Sequence, residues 1–146
     1  MLLTVGPFYM QQNTEFIRTI DLEEAIIGMR KDRIVHVYFK PHTEISVELQ
    51  GKLLRAYNEI TGTKKHFFIF EGGEFCTVTN EARENAIRME EVAPVLASVV
   101  VVKNVAQKLI ADFYQKVNKP KQPYRVVWQF EKGIKWLKEL KKEAVC

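Results

Sequence analysis

The chain has 146 residues, 47% of them hydrophobic, 11% aromatic and 27% charged, which suits one globular domain able to bury a core without metals or disulfides. No run approaches the roughly 18 uninterrupted apolar residues of a membrane-spanning helix, and the two cysteines, Cys76 and the terminal Cys146, do not suggest a structural disulfide, so a reducing, cytoplasmic setting is expected. The formal charge of +4 is unevenly spread. Residues 1–102 carry 11 Lys+Arg against 14 Asp+Glu and residues 103–146 carry 11 against 4, so the basic character belongs to the C-terminal third.

The opening "MLLTVGPFYM" lacks a basic first segment, a long apolar run and a small-residue cleavage site, and is not read as a secretion signal. Met10 could equally be the natural start, with residues 1–9 an upstream extension. Residues 1–14 are expected to be an N-terminal extension and residues 15–146 a single domain. "EFIRTI", "EAIIGMR" and "IVHVYFK", separated by turn-like "DLE" and "KDR", predict a β-meander over residues 15–40. In the third strand Val35, Val37 and Phe39 alternate with His36, Tyr38 and Lys40, which predicts an outer strand with one wet face.

From residue 40 strands and helices alternate. Ser46 is a plausible N-cap for a helix from about Val47, with Leu49, Leu53, Ala56 and Ile60 on one face and Gly62 as its stop. "HFFIFE" leads through "GGEFCTVT" to a helix over about Asn80–Glu91. "VLASVVVVKN" precedes a helix capped by Asn104, whose stripe is read as Ala106, Leu109 or Ile110, Phe113 and Val117. "YRVVWQF" precedes a last helix with Phe130, Ile134, Leu137 and Leu140 or Lys141 inward. Four successive βα units imply parallel strands with right-handed crossovers. The expected fold is α/β: a small mixed sheet with the meander at one edge and helices mainly on one face.

This order of elements resembles the STAS or SpoIIAA-like fold of bacterial anti-sigma-factor antagonists over about Glu15–Lys142. "TNEARENA", "NKPKQPYRVVWQF" and "GIKWLKEL" are similar to a group of uncharacterised bacterial STAS-like proteins. The resemblance implies a regulatory or ligand-binding role and no reaction. In that family an acidic or amide residue ends the strand, and a loop ending in Asp-Ser-Ser/Thr-Gly carries a serine phosphorylated at the helix start. Glu71 matches the strand-end position, but Thr79 and Asn80 stand where Asp-Ser belongs, with Glu81 and Ala82 following, so the acceptor motif is missing.

Glu71, Gly72, Gly73, Thr77, Thr79 and Asn80 therefore form the candidate binding loop, at the carboxyl end of a parallel strand where open α/β sheets bind ligands. Each has a structural reading beside the functional one. Thr79 can cap the helix or, like Thr77, accept a phosphate; Gly72 and Gly73 can form a positive-φ turn or a cradle, although neither dinucleotide-binding nor P-loop spacing is present. Cys76 is a small half-buried residue or a thiolate favoured by the helix start. His36, His42 and His66 show no metal-ligand spacing, and neither metal nor cofactor is expected. Lys119, Lys121 and Arg125, interleaved with Tyr124 and Trp128, could meet an anionic partner, but Tyr124 and Trp128 are placed in the core and nucleic acid is not expected. Two functions remain open: a non-enzymatic module binding a protein partner through the loop 71–80 and the second helix, or a carrier of a small ligand or lipid resembling Sec14-type domains. A pocket of roughly 300 Å³ would favour the carrier.

Overall fold

The computed structural model describes residues 16–145. The expectations on the N-terminal extension, on Met10 as a start and on Cys146 lie outside the described residues. Strands β1 (Phe16–Asp21), β2 (Ala25–Arg30) and β3 (Ile34–Phe39) form the antiparallel meander. β5 (His66–Gly72), β7 (Val95–Val101) and β8 (Tyr124–Val127) then add to β3 in parallel, giving one six-stranded sheet in the order β1-β2-β3-β5-β7-β8. Helices α1 (Val47–Thr61), α2 (Asn80–Met89), α3 (Val105–Phe113) and α4 (Phe130–Val145) follow β3, β5, β7 and β8. The mixed α/β sheet and its four helices agree with the expected class.

Because each new strand joins the same edge, right-handed crossovers require the three connecting helices to share one face. They do: α1, α2 and α3 lie over the face built by Val35, Val37, Phe68, Phe70 and Val100. Helix α4 connects to no further strand, so no crossover fixes its side. It covers the opposite face, where Ile134 and Leu137 pack on Ile69, Val99 and Val101.

That placement corrects the expectation of a wet β3. All six of its residues are buried, with His36 between the rings of Phe16 and Phe130 at 5.9 and 4.8 Å. The alternation of His36 and Tyr38 with apolar residues marks a two-sided interior, because α4 and Phe16 close the second face. The edge strand β8 is only partly buried.

Helix starts follow the sequence closely. Ser46 accepts the Leu49 amide at 3.2 Å, Thr79 accepts the Ala82 amide at 3.0 Å and Asn104 accepts the Gln107 amide at 2.9 Å. Gly62 ends α1 with φ 63°, a conformation glycine adopts without a Cβ penalty. Helix α3 takes the Ile110 alternative and is otherwise rotated from its expected stripe. Val105, Leu109, Phe113 and Val117 are exposed and Ala106 faces solvent, whereas Ala111 is buried and Ile110 lies inward. Beyond α3 the chain continues as a π-helical turn, Tyr114–Asn118, in which the Lys119 amide reaches back to the Tyr114 carbonyl at 3.3 Å. Trp128, expected in the core, lies past the end of β8 and is 52% exposed.

Candidate functional site

The loop from Gly72 to Thr79 is held against residues 39–45. Gly73 N–H donates to the Phe39 carbonyl at 2.8 Å, His42 N–H to Glu74 at 2.8 Å, and Thr77 N–H to Thr43 at 3.0 Å. Glu44–Ile45 (β4) and Thr77–Val78 (β6) thereby form a two-stranded parallel ribbon, a pairing with no local signal in the chain. Neither Gly72 nor Gly73 has positive φ. The left-handed residues here are His42 and Phe75, at φ 66° and 63°, whose rings stack 5.2 Å apart. Gly73 answers a different need: a Cβ there would lie 2.8–2.9 Å from the Pro41 ring and its backbone nitrogen.

The candidate loop residues are not one constellation. Thr79 caps α2, Asn80 pairs through Oδ1 with Arg83, and Thr77 is exposed on the ribbon. The Thr79 cap predicts that Thr79→Ala lowers stability by about 1 kcal/mol in urea unfolding. Thr77→Ala is expected to stay within about 0.5 kcal/mol of the parent. The Cys76 thiol donates to the Lys40 carbonyl at 3.2 Å, and burial pushes its pKa up, the reverse of what a thiolate nucleophile needs.

Glu71 turns away from the loop to the α4 face. Its Oε2 lies 2.6 Å from His36 Nε2 and its Oε1 3.0 Å from Lys103 Nζ, with both the imidazole and the carboxylate 1% exposed. Burial, reinforced by the Arg30 and Lys103 cations, lowers the His36 pKa to about 3. Burial raises that of Glu71, while Lys103 opposes the rise. Lys103 favours an ionised carboxylate, to which neutral His36 donates Nε2–H. The imidazole and carboxylate are closed off from solvent, so the arrangement acts on the stability of the sheet and offers no open reaction site.

An open site lies on the other face. Between the sheet and α1–α3 is a cleft of about 300 Å³, floored by Phe70, Ser98, Val100, Val102 and Tyr124. Leu53 and Tyr57 of α1, Ala82, Ala86 and Met89 of α2, and Ile110, Ala111 and Tyr114 wall it. The space follows from side-chain size. Where α2 and α3 face the sheet they present Ala82, Ala86 and Ala111, which are too short to fill the interval between helix and sheet.

Polar groups around the cleft are mostly spent on its walls. Gln50 donates to the Ala82 carbonyl at 2.8 Å and accepts from Asn85 at 2.9 Å, tying α1 to α2. Tyr124 donates its hydroxyl to the Ala111 carbonyl at 3.1 Å, and burial raises its pKa. Tyr114 packs edge-on to Tyr124 at 5.3 Å, and its pKa is pushed up to about 12 by burial and the nearby Glu90. Gln107 donates to the Gly72 and Gly73 carbonyls at 3.2 and 3.3 Å, joining α3 to the candidate loop.

Sequence reading placed the loop at this end of the sheet but missed Arg83 and the cleft walls on α1 and α3. The available signal was the run of inward alanines. Lys119, Lys121 and Arg125 are all exposed, and Arg125 lies over the Trp136 ring at 5.2 Å, toward α4. Among the described residues no group of three or more His, Cys, Asp or Glu could hold a metal ion, and no helix is long and apolar enough to cross a membrane.

No curated protein and no solved structure matches the chain. One family model matches residues 28–141, from β2 into α4 and so across the whole cleft, and the chain belongs to that family, described as Domain of unknown function (DUF7793).

Proposed function

We propose that the chain is a binding module for a small, mainly apolar ligand, held in the cleft between the sheet and α1–α3. The observation that carries this reading is the cleft itself: about 300 Å³, at the small end of ordinary ligand sites, with apolar walls and few polar groups. The π-helical turn beginning at Tyr114 supports it, since such turns recur at functional sites and Tyr114 lines the cleft. The cleft lining reaches Gly72 and Val102 at the carboxyl ends of β5 and β7, the end at which α/β sheets hold ligands. In this reading the STAS/SpoIIAA-like resemblance supplies the architecture and the chain acts as a non-enzymatic carrier of the SpoIIAA/Sec14-like type. A regulatory, protein-binding role is the second reading, favoured by Phe75, which is 70% exposed on the candidate loop.

The neutral fluorescent probe N-phenyl-naphthylamine tests the first reading. The full chain is expected to bind it saturably, and Val100→Phe, which fills the cleft floor, to weaken binding by about tenfold or more while the far-ultraviolet dichroism stays unchanged. Absence of saturable binding, or equal binding by folded Val100→Phe protein, would overturn the proposal.

A further inference from the structure

Of the charged groups on the cleft, Arg83 stands apart. It sits in the first turns of α2, lines the cleft and lies with its guanidinium 4.7 Å from the centre of the Phe113 ring of α3. Its polar contacts are neutral: Nη1 donates to the Val78 carbonyl at 3.2 Å and Nη2 to Asn80 Oδ1. A guanidinium has five N–H donors, so these two bonds leave three. Among the described residues no carboxylate lies within ion-pair distance of Arg83.

The two acids in the cleft lining, Glu71 and Glu90, are committed elsewhere, Glu71 to His36 and Lys103. Glu90 accepts the backbone N–H groups of Lys121 and Gln122, both at 3.1 Å, which anchors the loop before β8. Arg83 is partly buried, and the ring of Phe113 shields one face of it. The three donors left over are enough to meet a carboxylate bidentately.

Resting on the small-ligand reading above, we propose that the natural ligand is an amphipathic monocarboxylate. Its acidic head pairs with Arg83 at the α2–α3 side of the cleft, and its apolar tail lies along Phe70 and Val100. An apolar cleft with a single acid-free guanidinium is complementary to one negative charge attached to a hydrocarbon. The apolar floor supplies affinity by removing the tail from water, and the guanidinium supplies selection of the head.

Decanoate and its neutral counterpart decanol, each titrated by displacement of N-phenyl-naphthylamine from the full chain, test the inference. The parent protein is expected to prefer decanoate by about tenfold or more, and added salt to reduce that preference as the charges are screened. In Arg83→Gln the decanoate-to-decanol affinity ratio is expected to fall to about one, and in Arg83→Lys to take an intermediate value, because a lysine keeps the charge but loses the fork. Equal binding of the two ligands by the parent, or an undiminished ratio in Arg83→Gln, would overturn the acidic head while leaving the cleft reading intact. Failure of the neutral probe itself to bind would overturn both.

Discussion

Replacing Glu71 with alanine is expected to lower the unfolding free energy by about 3 kcal/mol, since it removes the acceptor of a buried hydrogen bond and opens a gap in the sheet. The carboxylate links His36 of β3 to Lys103 beyond β7 across the full width of β5. Lys103, half exposed, can turn to water when its partner is gone, but the imidazole cannot. His36→Leu alone is expected to cost a similar amount, because the buried carboxylate then keeps Lys103 without the ring N–H. The double variant His36→Leu/Glu71→Leu, set beside the single variants His36→Leu and Glu71→Leu, separates geometry from charge. Replacing a buried polar pair by apolar residues of similar size is often neutral or stabilising, so the double variant is expected to be more stable than either single one in urea unfolding. A loss equal to the two single losses added together would contradict this account.

The same pair gives the acid limb of the stability curve its direction. The unfolded His36 side chain binds a proton near pH 6.5, whereas burial delays this to about 3 in the folded chain. Between those values the unfolded state carries the extra proton, so His36 withdraws stability as pH falls, by at most about 1.4 kcal/mol per pH unit. The raised Glu71 pKa acts in the opposite sense: its contribution is present in acid and lost as pH rises through its folded value. Unfolding measured from pH 7 to 4 in the parent and in His36→Leu isolates the imidazole share. The variant is expected to lose less stability on acidification.

Phe68→Ala is the second large effect, expected to cost about 3–5 kcal/mol. The ring is wholly buried in the middle of β5, edge-on to Tyr57 of α1 at 4.9 Å and 5.8 Å from Phe70. Its neighbours are fixed by the strand pairings on both sides, so the space left by truncation cannot close. Leu109→Ala in α3 is the matched control. Periodicity left Leu109 or Ile110 as the inward residue; Leu109 is 63% exposed, and its truncation is expected to change stability by no more than about 0.5 kcal/mol. A cost of 2 kcal/mol or more at Leu109, as for a buried leucine, would mean that the helix packs in the phase its stripe suggests.

These residues mark the boundary between what the chain alone determines and what packing decides. Ser46, Thr79 and Asn104 were legible as caps because the bond each makes reaches only three residues along the chain, and Gly62 was legible as a stop for the same reason. The alternation of strands and helices was legible because period-2 and period-3.6 patterning is written along each segment. The phase of α3 was not: Val105, Leu109, Phe113 and Val117 form one apolar stripe and Ile110, Ala111 and Tyr114 a second. Only the sheet beneath selects between them. The burial of His36 and Glu71 depended on which side α4 takes, which no crossover fixes, and Tyr38 is covered beside them by Ile26 and Phe16. The cleft is a volume left between elements that are far apart in the chain, and Arg83 gains its role from Phe113, thirty residues further on. Local hydrogen bonding set the elements of this protein, whereas its candidate site is a property of the spaces and charges that remain after those elements pack.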